Sequence, residues 1–342
     1  MDLEGVPGLA PPLGGKHPDR EGEVAPLGQA GQSNLNVKLN HGTLYAENTI
    51  DVQSHSLTAQ DAKIQAKSDL NLSSAASTSL QGSHIDAGNL SMKGGQLTAN
   101  GTQLSAAQDI ALQSDQDLIL TDTQAAANNI AVQAASGSLT LDAVKLKAAQ
   151  QLSLKADKMA VNAETSALNT QIQAQGKLTL GQNAALISQN KTSIAAADAD
   201  VLGALYSGDA EINIAGSLSS GAGALVSVQN LNAVNAQNMN LNGTWEAADL
   251  SFKAGSLLRQ EGNLYALNNL RLDASALDLH GKSAAGKQLA AHAVQNLTVN
   301  RQAQLLSSER MDLSAQDIQL DGKAAAENAV TVTAGNNLNT GK

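Results

Sequence analysis

The sequence predicts an all-β protein: a right-handed parallel β-helix with about 20 residues per coil and three short strands per coil. The first observation is a spacing of large apolar residues in steps of seven, seven and six, which recurs along the chain. The series are Leu90, Leu97, Leu104 and Ile110; Ile50, Leu57, Ile64 and Leu70; and Leu250, Leu257, Leu264 and Leu270. Each series advances by 20 residues, and a fixed period of this length is typical of a repeat architecture.

A second observation assigns the repeat to strands rather than to helices. Nearly all of these residues have an apolar partner two positions later, as in Leu70 with Leu72 and Ile110 with Leu112. Alternate side chains share one face of a strand, whereas a coiled coil places its second apolar residue three or four positions after the first. Three such strands, each with one face inward, predict a three-sided coil that pairs in parallel with its neighbours. The crossover rule for parallel strands predicts right-handed winding.

The prolines, the third observation, divide the chain into a leader, residues 1–32, and a repeat domain, residues 33–342. All five prolines lie in the leader, at Pro7, Pro11, Pro12, Pro18 and Pro26. Glycine is also frequent there, so we expect a flexible segment. No proline follows, as expected where nearly every backbone N–H donates to a sheet.

The repeat domain is expected to contain roughly 14–15 coils. The strongest apolar pairs predict one column of stacked side chains with a mean step of 20 residues. Its members are Leu70, Leu90, Ile110, Ile130, Leu152, Leu178, Ile194, Ile212, Leu231, Leu250, Leu270, Leu297, Met311 and Val330. The chain has one Trp, three Tyr and one Phe, so we expect a narrow interior of aliphatic side chains without room for rings.

Asparagine or aspartate precedes this column in many coils. The residues are Asp69, Asn89, Asp109, Asn129, Asn230, Asp249, Asn269 and Asn296. One interpretation is that these corner side chains stack and bond the backbone of neighbouring coils. The other is the ordinary preference of both residue types for turns. The sequence leaves both interpretations open.

Composition excludes several classes of function. The net charge is −10 and the basic residues are scattered, so binding to nucleic acid is not expected. No stretch approaches about 18 consecutive apolar residues, so no membrane span is predicted. The chain has no cysteine, which excludes disulfides and thiolate metal sites. The histidines show no paired spacing for zinc, and we expect them on the surface; they are His17, His41, His55, His84, His280 and His292.

Two segments are the strongest candidates for chemistry. In residues 281–288, GKSAAGKQ, glycine and lysine have the spacing of a phosphate-binding loop, but Gln288 stands where magnesium needs Ser or Thr. Residues 196–210 overlap the one local concentration of acidic residues, which lies near Tyr206 and comprises Asp198, Asp200, Asp209 and Glu211. We interpret both segments as surface loops that interrupt the repeat, and we expect any binding to use them. No catalytic, cofactor-binding or metal site is predicted.

The repeated units resemble the haemagglutinin repeats of filamentous-haemagglutinin-type exoproteins, which Gram-negative bacteria export by two-partner secretion. The units are SDLNLSSA, AGNLSMKGG, AQDIALQS, NNLRLDAS, VQNLTVN and ERMDLSAQ, and the resemblance covers residues 35–342. It implies a β-helix shaft that is secreted or lies at the cell surface, with an outer-membrane transporter as export partner. Such shafts occur in adhesins that contact host cells. They also occur in contact-dependent growth inhibition proteins, which carry a toxin to neighbouring bacteria.

The sequence thus predicts a non-catalytic structural shaft of a bacterial adhesin, without a cofactor. The alternatives are the shaft of a contact-dependent inhibition exoprotein and a β-helical enzyme acting on surface glycans, which needs paired carboxylates in a groove. The chain has no export signal or secretion-domain motif, and its last residues, AGNNLNTGK, match the start of another coil. We therefore expect an internal piece of a longer exoprotein, or a broken gene whose leader is not native to it. The ends of an isolated 33–342 fragment are expected to associate or fray.

Overall fold

The computed structural model describes residues 35–341, and the predicted leader, residues 1–32, lies outside them. The described residues form thirty β-strands and no helix. Every strand pair is parallel, which confirms the predicted all-β, parallel class. No helix within the described range is long and apolar enough to cross a membrane.

The strands follow one another closely. Their bounds are β1 Asn36–Asn40, β2 Thr43–Ala46, β3 Ile50–Gln60, β4 Lys63–Gln81, β5 His84–Gly94, β6 Gln96–Asn100, β7 Gln103–Ala106, β8 Asp109–Ser114, β9 Leu118–Thr121, β10 Gln124–Ala134, β11 Ser138–Ala156, β12 Lys158–Ala174, β13 Lys177–Leu180, β14 Ala185–Ala196, β15 Asp198–Val201, β16 Ala204–Ile214, β17 Ser217–Ser220, β18 Leu225–Ala236, β19 Asn238–Leu241, β20 Thr244–Ala247, β21 Asp249–Ala254, β22 Leu257–Gln260, β23 Asn263–Ala266, β24 Asn269–Leu279, β25 Lys282–Ala285, β26 Gln288–Val299, β27 Gln304–Ser307, β28 Arg310–Leu320, β29 Lys323–Ala326 and β30 Ala329–Thr340. The longest strands, β4, β11 and β12, each run through two corners of the coil.

Each coil has three sides, which we call the first, second and third face in chain order. The first face begins at Val37, the second at Leu44 and the third at Ile50, and each inward residue pairs with its counterpart 18 to 22 residues later. The first column is Val37, Leu57, Thr78, Leu97, Leu118, Leu139, Met159, Leu178, Ala199, Leu218, Met239, Leu258, Leu277, Leu297, Ile318 and Leu338. The second column is Leu44, Ile64, Ile85, Leu104, Ala125, Leu146, Thr165, Leu186, Leu205, Val226, Trp245, Leu264, Ser283, Leu305 and Ala324. The third column is Ile50, Leu70, Leu90, Ile110, Ile130, Leu152, Thr170, Thr192, Ala210, Leu231, Leu250, Leu270, Leu289, Met311 and Val330.

These columns confirm a β-solenoid of about fifteen coils with the predicted period of about 20 residues. The predicted column was wrong at Leu178, Ile194, Ile212 and Leu297. We call the inward residue that a coil contributes to a column its rung. The third-column rungs in those coils are Thr170, Thr192, Ala210 and Leu289. Ile194 and Ile212 lie two positions later on the third face, whereas Leu178 and Leu297 belong to the first column. Following large apolar residues therefore left the true column, three of whose four members here are small or polar. The coil length is therefore steadier than the sequence indicated.

The interior is one continuous cluster of buried side chains that extends from Ile50 to Ile318. The second face often combines a large residue with alanine, as in Ile64 with Ala66. Leu257 was a predicted inward residue, but it is 40% exposed, and Leu258 is the buried rung. The core is therefore continuous, although its rungs do not always follow the seven, seven and six spacing.

The expectation that the core has no room for rings was wrong. Trp245 and Phe252 are fully buried, with ring centroids 5.3 Å apart in an edge-to-face arrangement. The indole Nε1 donates to the Oγ of buried Ser220 at 3.3 Å, so its polar atom is satisfied. A small polar neighbour thus accompanies a large ring inside the narrow stack.

The corner between the first and second faces changes along the rod. In six successive coils one residue has a left-handed backbone, with φ between 46° and 58°; these residues are His41, Asp61, Gly82, Gly101, Asp122 and Ala143. In later coils glycine lies directly against the preceding coil. A Cβ on Gly281 would lie 2.0 Å from the carbonyl oxygen of Gly262. The first corner type needs a left-handed residue, and the second needs close backbone approach.

Candidate functional site

The acidic residues near Tyr206 lie on strands, so the predicted loop at 196–210 was wrong. Asp198 and Asp200 belong to β15 on the first face, whereas Asp209 and Glu211 lie on β16 where the chain turns to the third face. This coil pairs with the coils on both sides. Paired carboxylates for glycoside hydrolysis must flank one bond. The four carboxylates are instead divided between two faces of the solenoid.

Each of three carboxylates bonds to a neighbouring coil. Asp200 forms an ion pair with Lys177 at 2.5 Å. The backbone N–H of Ser217 donates to Asp198 Oδ1 at 2.7 Å, and the amide of Asn230 donates to Asp209 Oδ1 at 2.9 Å. Their contacts therefore tie coils together along the outside of the rod.

Glu211 also lies in a network of surface contacts. It accepts a hydrogen bond from the Asn213 amide at 2.9 Å and pairs with Lys191, one coil earlier, at 3.2 Å. These two groups, Asn213 first, hold the pKa of Glu211 below its ordinary value. A general acid at neutral pH needs a raised pKa instead. Glu211 therefore lacks the raised pKa that a general acid needs.

The segment 281–288 was also wrongly interpreted as an inserted loop, because residues 282–285 form β25. A phosphate-binding loop needs several free backbone N–H groups that converge on the anion. Here the N–H of Gly286 donates to the Ala266 carbonyl at 3.0 Å, and the N–H of Lys287 donates to the Asn268 carbonyl at 2.8 Å. Gln288 donates to Asp312 at 2.8 Å. These two backbone N–H groups and the Gln288 amide already donate to partners within the protein, so they are not free to bind a phosphate.

The histidines other than His17, which lies outside the described residues, are exposed or half-buried, as predicted. His84 lies 3.2 Å from Gln103, and His292 lies 2.6 Å from Ser314. His280 contacts Asp278 at 2.9 Å. Within residues 35–341, no three His, Asp or Glu side chains are grouped so that they could hold a metal ion.

Several of the asparagine and aspartate residues before the third face stack on one another, as the first interpretation proposed, although their bonds are mainly not to the backbone. The Asn89 amide donates to Asp69 at 2.9 Å, and the Asn269 amide donates to Asp249 at 2.8 Å. The same bond joins Asn129 to Asp109 at 2.8 Å. These are mainly bonds between side chains of adjacent coils rather than bonds to the backbone. Asn296 lies instead at the first-face corner, in register with Asp317.

Sequence reasoning missed that the three tyrosines share one outer column of the second face. Tyr45, Tyr206 and Tyr265 each lie between the two inward residues of that face. Tyr206 is in register with Ile187, and their exposures are 39% and 38%. The signal was present in the sequence, because the residue between two inward positions of a strand must point outward. Tyr206 and Ile187 thus form an adjacent pair of exposed apolar side chains on this face.

A shallow groove lies on the same face, closer to the N-terminus. Its lining includes one column of five successive coils, namely His84, Gln103, Gln124, Lys145 and Glu164. Lys145 and Glu164 form an ion pair at 3.5 Å. Both side chains are more than half exposed, so this pair lends the groove little stability or selectivity.

Comparison of the chain with protein-family models, curated proteins and solved structures finds no match in any of the three. The solenoid fold therefore stands on the strand register described above, and the resemblance to haemagglutinin repeats stays a prediction.

Proposed function

We propose that this chain is a non-catalytic structural shaft of a secreted or surface-exposed bacterial adhesin, of the haemagglutinin-repeat kind. The observation that carries the proposal is an uninterrupted stack with one buried core from Ile50 to Ile318 and a coil step of 18 to 22 residues. At a rise of about 4.8 Å per coil, fifteen coils make a rod roughly 70 Å long. Such a rod can hold a binding module away from a cell surface.

The outer contacts support a mechanical role. Ion pairs such as Lys191–Glu211 and Lys177–Asp200 join adjacent coils, as do the Asn–Asp pairs. Each exposed pair contributes little to the free energy of unfolding. Repeated along several columns, however, they oppose sliding of one coil over the next and so favour a stiff rod.

The exposed apolar pair Tyr206 and Ile187, adjacent on the second face, is our candidate contact with another cell. We expect beads coated with the chain to remain on a layer of host cells under flow more often than beads coated with albumin. The double substitution Ile187→Ser and Tyr206→Ser should reduce retention, because it removes exposed apolar surface without touching the core. Thr140→Ser, on the first face, is the matched control. Equal retention of all beads would count against adhesion by this chain.

The alternative that this chain is a glycan-cleaving enzyme needs its own test. Incubation with bacterial and host surface polysaccharides should release no reducing ends. Release that is lost when Asp198, Asp200 and Asp209 are all replaced by alanine would overturn the non-catalytic proposal.

The DNA sequence on both sides of the reading frame tests the adhesin context. A secretion domain upstream and a transporter gene nearby are expected, whereas a toxin domain downstream would favour the growth-inhibition alternative.

A further inference from the structure

The outer column of the second face that contains the tyrosines is complementary to itself when its order is reversed. We call it the tyrosine column. The strand register gives its middle part, in chain order, as Ser105, Ala126, Lys147, Ser166, Ile187, Tyr206, Ser227, Glu246, Tyr265 and Ala284. Its midpoint lies between Ile187 and Tyr206. Each residue before the midpoint has a counterpart after it, the same number of coils away.

The centre of the column is apolar and uncharged. Ile187 and Tyr206 are 38% and 39% exposed, and removing apolar surface of this kind from water is favourable. Ser166 and Ser227, the next residues outward, are small and only half-buried. In a second copy that is turned end for end, Tyr206 would lie opposite Ile187, and the two serines would lie opposite each other.

The next counterparts carry opposite charges. Lys147 lies on one side of the centre and Glu246 lies at the matching position on the other side. Within residues 35–341 neither side chain has an ion-pair or hydrogen-bond partner, whereas the neighbouring Lys145 is paired with Glu164. Turned end for end, a second copy would place its Glu246 opposite Lys147 and its Lys147 opposite Glu246. Two ion pairs of this kind would fix the register and the direction of the contact.

The third counterparts differ in size. The shallow groove of the second face exists where the column has small residues, among them Ser105 and Ala126. The counterpart of Ala126 is Tyr265, whose half-buried ring lies 5.4 Å from the Nζ of Lys282, measured to the ring centroid. In an end-for-end copy this ring would face Ala126 and the groove. A large side chain would therefore meet a depression.

We propose that the second face binds a second copy of this chain, side by side and antiparallel, about a two-fold axis between Ile187 and Tyr206. Successive coils are about 4.8 Å apart in both copies, so the counterparts stay opposite one another along the contact. An end-for-end turn about the strand direction keeps the strands of both faces aligned, as packed sheets require. Because both copies use the same surface, the assembly closes at the dimer.

The size of the contact predicts a weak dimer. Between Ser105 and Ala284 the face is about 43 Å long, and the short strands make it about 13 Å wide. The dimer would therefore bury about 1,200 Å² in total, at the lower end of the range for specific interfaces. We expect monomer and dimer to exchange, so the apolar pair Ile187 and Tyr206 stays available in the monomer. The inference does not rest on the adhesin function.

The test is sedimentation velocity of the full chain over a range of protein concentrations. The wild type should form dimers, in a proportion that rises with concentration, and nothing larger. Lys147→Glu and Glu246→Lys should each raise the dissociation constant at least about tenfold, because each places two pairs of like charges opposite one another. Lys155→Glu is the matched control, since Lys155 is exposed on the third-face part of the same strand, and it should dimerise like the wild type.

Combining the two charge reversals tests the register. The double variant Lys147→Glu with Glu246→Lys restores opposite charges and should dimerise like the wild type. An equal mixture of the two single variants should form dimers that neither forms alone, because each contact then joins an acidic to a basic side chain.

Several outcomes would overturn the proposal. A wild type that is monomeric at all concentrations does so, as it would be if another part of the chain covers this face. Single reversals that dimerise normally, a double variant that stays monomeric, or loss of the dimer in Lys155→Glu also overturn it. Lys147→Gln and Glu246→Gln replace any reversal that changes the circular dichroism spectrum, and each should weaken the dimer. The assay contains no cells, so its result is independent of retention on host cells.

Discussion

At the scale of single residues, Ala143 is the least expected feature of the rod. It has a φ of 52°, in a series of left-handed corner residues that otherwise consists of glycine, aspartate and histidine. Left-handed backbone costs an ordinary residue about 1–2 kcal/mol, whereas glycine and, to a lesser degree, aspartate tolerate it. The coil geometry therefore imposes this conformation on alanine, at the point where the register between β11 and β12 shifts.

Ala143→Gly should therefore stabilise the rod by about 0.5–1 kcal/mol, because relief of the strained backbone exceeds the added entropy of the unfolded chain. The measurement is the free energy of unfolding in a denaturant titration. Ala160→Gly, at an exposed strand position with ordinary backbone, is the control and should destabilise by about 0.5–1 kcal/mol. Equal losses in both variants would show that Ala143 is not strained.

At the scale of elements, the corners decide how closely one coil lies on the next. Backbone N–H groups at the corners donate to the preceding coil, as at Gly281 and Lys282. Where glycine occupies the corner, the two backbones approach too closely for a Cβ atom. The strands provide most of the pairing, but the corners limit which residues a coil can contain.

Gly281→Ala should destabilise the rod by about 1–3 kcal/mol, because its Cβ would lie 2.0 Å from the carbonyl oxygen of Gly262. The midpoint of chemical unfolding, followed by circular dichroism, measures the loss. Gly223→Ala is the matched control, since a Cβ at Gly223 has no atom within 4 Å, and it should leave the midpoint unchanged. If both variants behave alike, close coil contact is not the reason for glycine at this corner.

At the scale of the whole molecule, the solenoid is modular in units of one coil. Each coil contacts the coils before and after it, so stability approximates a sum of similar terms. The period aligns three columns at once, and removal of a whole coil leaves each column continuous. Removal of part of a coil breaks at least one column.

Deletion of residues 90–109 should therefore yield a folded rod that is one coil shorter. Ile110 takes the place of Leu90 above Leu70, as the register of both residues indicates. Circular dichroism and small-angle scattering should show β structure and a maximum dimension reduced by about 5 Å. Deletion of residues 90–99 removes half a coil and should cause loss of β structure or aggregation. A folded half-coil deletion would contradict the modular description.

The sequence could predict the period, the strand identity of the repeats and the parallel stack because alternation of apolar and polar residues depends on local geometry. It also placed most rungs of the third column correctly, from Leu70 to Leu152. It failed at Thr170 and Thr192, because nothing local marks a buried threonine. The Oγ1 of Thr170 bonds to Ser188 at 2.6 Å, and that partner lies on another coil.

For the candidate sites, too, the sequence predicted some features and missed those that depend on contacts between coils. The sequence identified the acidic residues from Asp198 to Glu211 as a concentration, but only the coil geometry placed them on different faces. It also could not place Trp245 against Phe252 and Ser220, since these contacts join different faces and coils. The sequence alone determined the solenoid, because its period and alternation are properties of the chain itself. The tertiary structure decided the rungs, the corners and the surface neighbours, because residues about 20 apart meet only after the coils have stacked.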